Sequence, residues 1–93
     1  MKEATIVKAI LKYLKALPGC FCWKEHGGMY GTAGIPDIIA CIGGHFYGFE
    51  VKTETGKPTK LQEAMIRKIN AAGGTALVVR TVDEVRAVVE AKE

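Results

Sequence analysis

A chain of 93 residues has room for one domain and a modest core. Hydrophobic residues make up 48% and charged residues 25%, which sets aside the disordered, low-hydrophobicity class. A net charge of +3 suits phosphate backbones without demanding them, and no apolar run nears the roughly 20 residues of a membrane span.

Ile6, Val7, Ile10, Leu11, Leu14 and Leu17 recur at helical spacing, so an amphipathic helix is expected from about Glu3 to Leu17. Lys2, Lys8, Lys12 and Lys15 are threaded through it. A secretory signal keeps its charge ahead of an unbroken apolar stretch, so this reads as a helix of the mature protein, and a cytoplasmic location is expected. Pro18-Gly19 stops the helix. CFCWK, from Cys20 to Lys24, reads as a strand. His26 to Pro36 is glycine-rich and reads as a loop. Asp37 to Ile42 and His45 to Lys52 read as two strands joined by Gly43-Gly44, a two-residue hairpin signal.

Thr53 to Thr59 is a polar loop. A helix follows with Leu61, Met65 and Ile69 on one side, Thr59 as its N-cap and Gln62 three residues on, the pattern of a capping box. Gly73-Gly74 ends it. Thr75 to Arg80 reads as a buried strand. Thr81 with Glu84 makes a second capping box, opening a helix through Val85, Val88 and Val89. The order α-β-β-β-α-β-α gives an α/β fold over residues 1–93. Its first strands meander antiparallel, and its last, reached through a helix, joins parallel, making a mixed central sheet flanked by helices.

Three cysteines, Cys20, Cys22 and Cys41, are an odd number and follow no secretion signal, which argues against a disulfide framework. Their spacing with His26 or His45 matches no common zinc pattern, and they read as small, half-buried strand residues.

The hairpin carries the chemistry. Counting outward from Gly43-Gly44, Cys41 faces Phe46, Ile38 faces Phe49 and Asp37 faces Glu50. The two carboxylates then oppose each other on one face, with Cβ atoms roughly 4.5–5.5 Å apart. Lys52 lies two residues beyond Glu50 and shares that face, while Phe49 and Val51 point into the core. A bulge in the hairpin would put the acids on opposite faces. Fold stability does not call for two opposed acids. A divalent cation between them removes the repulsion, and carboxylate oxygens suit Mg²⁺ or Mn²⁺. Such an ion polarises a phosphodiester and lowers the pKa of a bound water, and a lysine beside it positions that water or holds developing charge. Taken singly, a Glu-x-Lys on a strand and a Pro-Asp at a strand start are common structural features. The register and shared face make them a candidate site.

Gly34-Ile35-Pro36-Asp37, followed on the next strand by Glu50-Val51-Lys52, resembles the motif of the PD-(D/E)xK nuclease superfamily. The stretches GTAGIPD, GFEVKTETGKPTKLQ and ALVVR resemble, more narrowly, the virus-type replication-repair nuclease (VRR-NUC) family over nearly the whole chain. The resemblance implies that Asp37 and Glu50 hold the metal with the main-chain carbonyl of Val51, and that Lys52 serves the attacking water. Gln62 matches a glutamine near the family's site, and its capping-box role stands as the alternative. Glu3 matches a glutamate on the first helix. It precedes Ile6, Val7 and Ile10 on their stripe, while the helix dipole alone also favours an acid there.

Lys24, Lys57, Lys60, Arg67 and Lys68 are candidates for phosphate contacts, and Tyr30 or Trp23 for base stacking, though Trp23 reads first as a core residue. The Gly27 to Gly34 loop would let a backbone approach, or simply turn the chain. His45, at the hairpin tip, and His26 are not expected in the chemistry. The implied activity is a Mg²⁺- or Mn²⁺-dependent endonuclease on DNA, structure-selective for branched or four-way junctions, in phage-type replication, recombination or repair. If phage-encoded, it would work in the host cytoplasm. A homodimer would supply the two cuts that a junction needs. The rival readings are a DNA-binding module without catalysis and an RNA-directed nuclease.

Overall fold

The structure, a computed structural model, describes residues 1–26 and 31–92. Seven elements follow in the expected order: α1 (Glu3–Lys15), β1 (Cys20–Lys24), β2 (Ile38–Ile42), β3 (His45–Val51), α2 (Lys60–Ala71), β4 (Thr75–Val79) and α3 (Val82–Glu90). The ends are shorter than expected in four places. α1 stops at Lys15, because Pro18 disfavours helical backbone at Leu17. Asp37, Lys52 and Arg80 each fall one residue outside their strands.

The sheet order is β1-β2-β3-β4, antiparallel between the first three and parallel between β3 and β4. Gly43 (φ 56°) and Gly44 (φ 84°) both sit in the left-handed region that a tight two-residue hairpin turn requires. The register is therefore the one expected, with Ile42 opposite His45 and Ile38 opposite Phe49, and no bulge intervenes.

One face of the sheet carries the core. Tyr47, Phe49, Val51 and Val79 pack with Ile6, Val7, Ile10 and Leu14 of α1 and with Val85 and Val89 of α3. Each such side chain, once buried, contributes about 1.5–3 kcal/mol. Arg86 of α3 lies over the Tyr13 ring of α1, 5.1 Å from its centre, and closes the seam between the helices. The other face carries α2 over β3 and β4. Asn70 ties α2 to β4: its Nδ2 donates to the Ala76 carbonyl (2.9 Å) and its Oδ1 accepts from Ala76 N (2.8 Å).

α2 does not cover β1. Phe21 (70% exposed), Trp23 (41%) and Phe46 (42%) remain open on that side. Trp23 is therefore not a core residue. It stands at the rim of a cleft of about 270 Å³ lined by Ile39, Phe46 and Ile69, and its Nε1 donates to Glu25 Oε2 (3.1 Å). Cys20 and Cys22 are half-buried and Cys41 is exposed, all as free thiols. No helix among the described residues is long and apolar enough to cross a membrane.

Candidate active site

Asp37 sits at the point where the β2–β3 ladder gives out. The next residue outward on its own strand, Pro36, has no N–H to offer a neighbour. The carboxylate takes over, with Asp37 Oδ2 accepting from Val51 N at 2.9 Å. The Asp37 carbonyl accepts from Glu25 N at 2.7 Å, so both ends of the residue are fixed. Gly34, three residues earlier, has φ 81°, and a Cβ there would stand 2.9 Å from Leu61 and Met65 side-chain carbons. Only glycine lets this loop turn against α2 and deliver Pro36-Asp37 to the sheet.

Glu50 follows from strand alternation. Its neighbours Phe49 and Val51 face the α1–α3 core, so Glu50 faces α2. It is 1% exposed and is the one charged side chain in the buried set among the described residues. Its carboxyl is pushed up from 4.5 to about 8. Burial is the main cause, then the hydrogen bond and charge of Asp37, with Lys52 pulling partly the other way. Lys52 Nζ lies 3.6 Å from Glu50 Oε2, and its side chain is 14% exposed.

Gln62 makes contacts in two directions. Thr59 Oγ1 accepts from Gln62 N (3.1 Å), while Gln62 Oε1 accepts from Thr59 N (2.9 Å), which completes the capping box. That second bond turns the amide so that Nε2 donates to Glu50 Oε2 at 3.3 Å. One glutamine thus starts α2 and holds the buried acid. Asp37, Glu50, Lys52 and Gln62 converge from the start of β2, the end of β3 and the first turn of α2.

Glu3 does not join them. It is exposed in the first turn of α1, and the buried stripe begins only at Ile6. Among the described residues no three His, Cys, Asp or Glu side chains gather into a metal-binding group. Glu3 is placed where an acid complements the helix dipole. Lys57 and Lys60 are exposed on the approach to Gln62. Lys24 is exposed, but it pairs with Ile38 and so starts from the sheet face opposite Glu50. Tyr30 lies outside the described residues. His45 pairs with Thr75 Oγ1 (2.7 Å) at the far end of β3, away from the acids.

Two features went unread in the sequence. The first is Arg80, whose Nη1 donates to the Thr53 carbonyl and, at 2.7 Å, to the Gly56 carbonyl. A single arginine after a strand reads as a surface cation, and nothing local reveals carbonyl partners far away in the chain. The second is the reach of Glu84. Thr81 Oγ1 accepts from Glu84 N as expected, but Glu84 Oε1 accepts from Arg80 N (2.8 Å), one residue further back than a capping box.

Two carboxylates at the ends of adjacent strands, a lysine 3.6 Å from one of them and the α-β-β-β-α-β-α frame are the features of a PD-(D/E)xK-type nuclease. The family model described as "Archaeal holliday junction resolvase (hjc)" matches residues 25–92, and the chain belongs to that family. Among solved structures, one described as "VRR_NUC domain" is 26% identical, with a TM-score of 0.77 over 95% of this chain and 94% of that one. A second, "VRR_NUC domain protein", is 20% identical, with a TM-score of 0.78 over 97% of this chain and 86% of that one, and speaks for the fold. A search of curated proteins gave no match.

Proposed function

We propose that the chain, as one nuclease unit over residues 1–93, is a Mg²⁺- or Mn²⁺-dependent endonuclease that cuts DNA at four-way junctions. The observation that carries this is the buried Glu50, bonded to Asp37 and held by Lys52 and Gln62. An acid kept out of water beside a second acid is unfavourable when ionised, and a divalent cation reverses that. The family match supports junction DNA as the substrate.

The donor set fits such an ion. Mg²⁺ is commonly held by one or two carboxylates and keeps several waters, and this site offers two carboxylates. Asp37 and Glu50 would hold it, with the Val51 carbonyl as a further donor. When bound, it supplies Lewis-acid polarisation of the phosphate and a more acidic water. The chain's own groups do the rest. Val51 N–H fixes the Asp37 carboxylate, and Gln62 Nε2 fixes Glu50. The Lys52 ammonium orients the attacking water and offsets charge on the phosphate oxygens. Lys57 and Lys60 hold the flanking backbone, a role that gives each a share of the salt dependence. A homodimer would place two such sites on the two-fold symmetric junction.

The test is cleavage of a labelled four-way junction and a matched linear duplex, with Mg²⁺, Mn²⁺ or EDTA. Wild type is compared with Asp37→Ala, Glu50→Ala and Lys52→Ala. Metal-dependent junction cutting, weak on duplex and lost in all three variants, is expected. Equal cutting of both DNAs would remove the junction preference. Junction binding without cutting would favour a non-catalytic module, and preference for a matched RNA would redirect the substrate class.

A further inference from the structure

Lys52 lies just past the end of β3, where the ladder no longer holds the chain. Three contacts fix it. Its N–H donates to the Val79 carbonyl at 3.0 Å. Its ammonium meets Glu50. Its Cβ lies beside the turn that follows, where a Cβ built on Gly56 would stand 3.6 Å from it. That turn, Thr53 to Gly56, is closed by a single backbone bond, Gly56 N to the Thr53 carbonyl at 3.2 Å. Glu54 and Thr55 within it are exposed, so no buried side chain anchors it to the fold.

Arg80 supplies the missing anchor. It follows Val79, whose carbonyl already holds Lys52 N, and its Nη1 donates to the carbonyls of both Thr53 and Gly56. Hydrogen bonds from a guanidinium are charge-assisted and stronger than neutral ones. The base of Arg80 is itself fixed, because its N–H donates to Glu84 Oε1 of α3. A continuous chain of contacts therefore runs from α3 through Arg80 and the Thr53–Gly56 turn to Lys52. We infer that Arg80 is the positioning residue of the site, which sets the Lys52 ammonium against Glu50 by clamping the turn behind it. The inference rests on the nuclease reading for its catalytic consequence, while the clamp itself is tested without activity.

The experiment pairs amide hydrogen exchange with junction-cleavage kinetics on the full chain. In Arg80→Ala, exchange at Lys52 and Gly56 accelerates, while Ile38 to Ile42 on β2 keep their protection. In junction cleavage, Arg80→Ala lowers kcat by about tenfold to a hundredfold, as expected when a reacting group drifts by an ångström, with KM nearly unchanged. Arg80→Lys, which keeps a charged donor on a long stem, restores part of that loss. In a Lys52→Ala background, Arg80→Ala still accelerates exchange at Gly56, because the clamp acts on the turn and not through the ammonium. An unchanged kcat in Arg80→Ala would overturn the assignment, and so would unchanged exchange at Gly56. If Arg80→Ala does not fold, Arg80→Gln and Arg80→Lys carry the same comparison. A wild-type chain that cuts no DNA would strike the nuclease reading instead, leaving the exchange at Gly56 to decide the clamp.

Discussion

The two faces of the sheet are made by the same strands and differ in what lies over them. On one side Tyr47, Phe49 and Val51 of β3 are sealed beneath α1 and α3. On the other, the same strand presents Glu50, with Lys52 just beyond, to the single helix α2, none of whose residues is fully buried. The packed face gains stability from apolar area, while the open face gives some up to hold an acid out of water. Strand alternation makes the two inseparable, because the residues that anchor the core also fix the direction of the residues that carry the chemistry.

The largest effects are expected from single changes on the open face that leave the packed face untouched. Glu50→Gln should abolish metal-dependent cleavage in a gel assay while the unfolding midpoint of the metal-free protein rises. The rise follows from the pKa shift. In the folded protein the Glu50 carboxyl sits at about 8, above its ordinary 4.5. Its contribution to stability is therefore fully present below about pH 4.5 and is lost as pH rises through 8. Metal-free wild type should melt lower at pH 9 than at pH 6, and Glu50→Gln should flatten that fall. A wild-type midpoint independent of pH in this range would remove the contrast between the faces.

On the packed face Phe49→Ala should cost about 3–5 kcal/mol in denaturant unfolding, as for other fully buried aromatics. Asn70→Ala, which strips two bonds from β4, should cost about 1–3 kcal/mol by the same measurement. Phe21→Ala should shift stability by no more than about 0.5 kcal/mol, since Phe21 is 70% exposed where α2 does not reach. A large Phe21 effect would mean that this side of the sheet is covered in solution.

Much of this was legible in the sequence because the decisive features are local. Gly43-Gly44 fixes the turn, the turn fixes the register, and the register brings Asp37 beside Glu50 without knowledge of anything else in the fold. Thr59 and Gln62 announced the cap of α2 in the same way. What failed depends on distant partners. Helical spacing put Glu3 on the Ile6 stripe, but periodicity does not tell where along a helix burial begins. Trp23 alternates correctly for a covered strand, but how far α2 extends over the sheet is a tertiary fact. Arg80 and Asn70 serve main-chain groups remote from them in sequence, and no pattern of side-chain types marks a carbonyl that needs a donor.

The proposed metal site of Asp37 and Glu50 requires the buried acid to give up its proton to the ion. Calorimetric titration of Mn²⁺ into the metal-free protein at pH 7, repeated in buffers of different ionisation enthalpy, tests it most directly. The expected result is saturable binding with release of about one proton, both lost in Glu50→Gln. Binding that survives Glu50→Gln, or that proceeds with no proton release, would rule that site out.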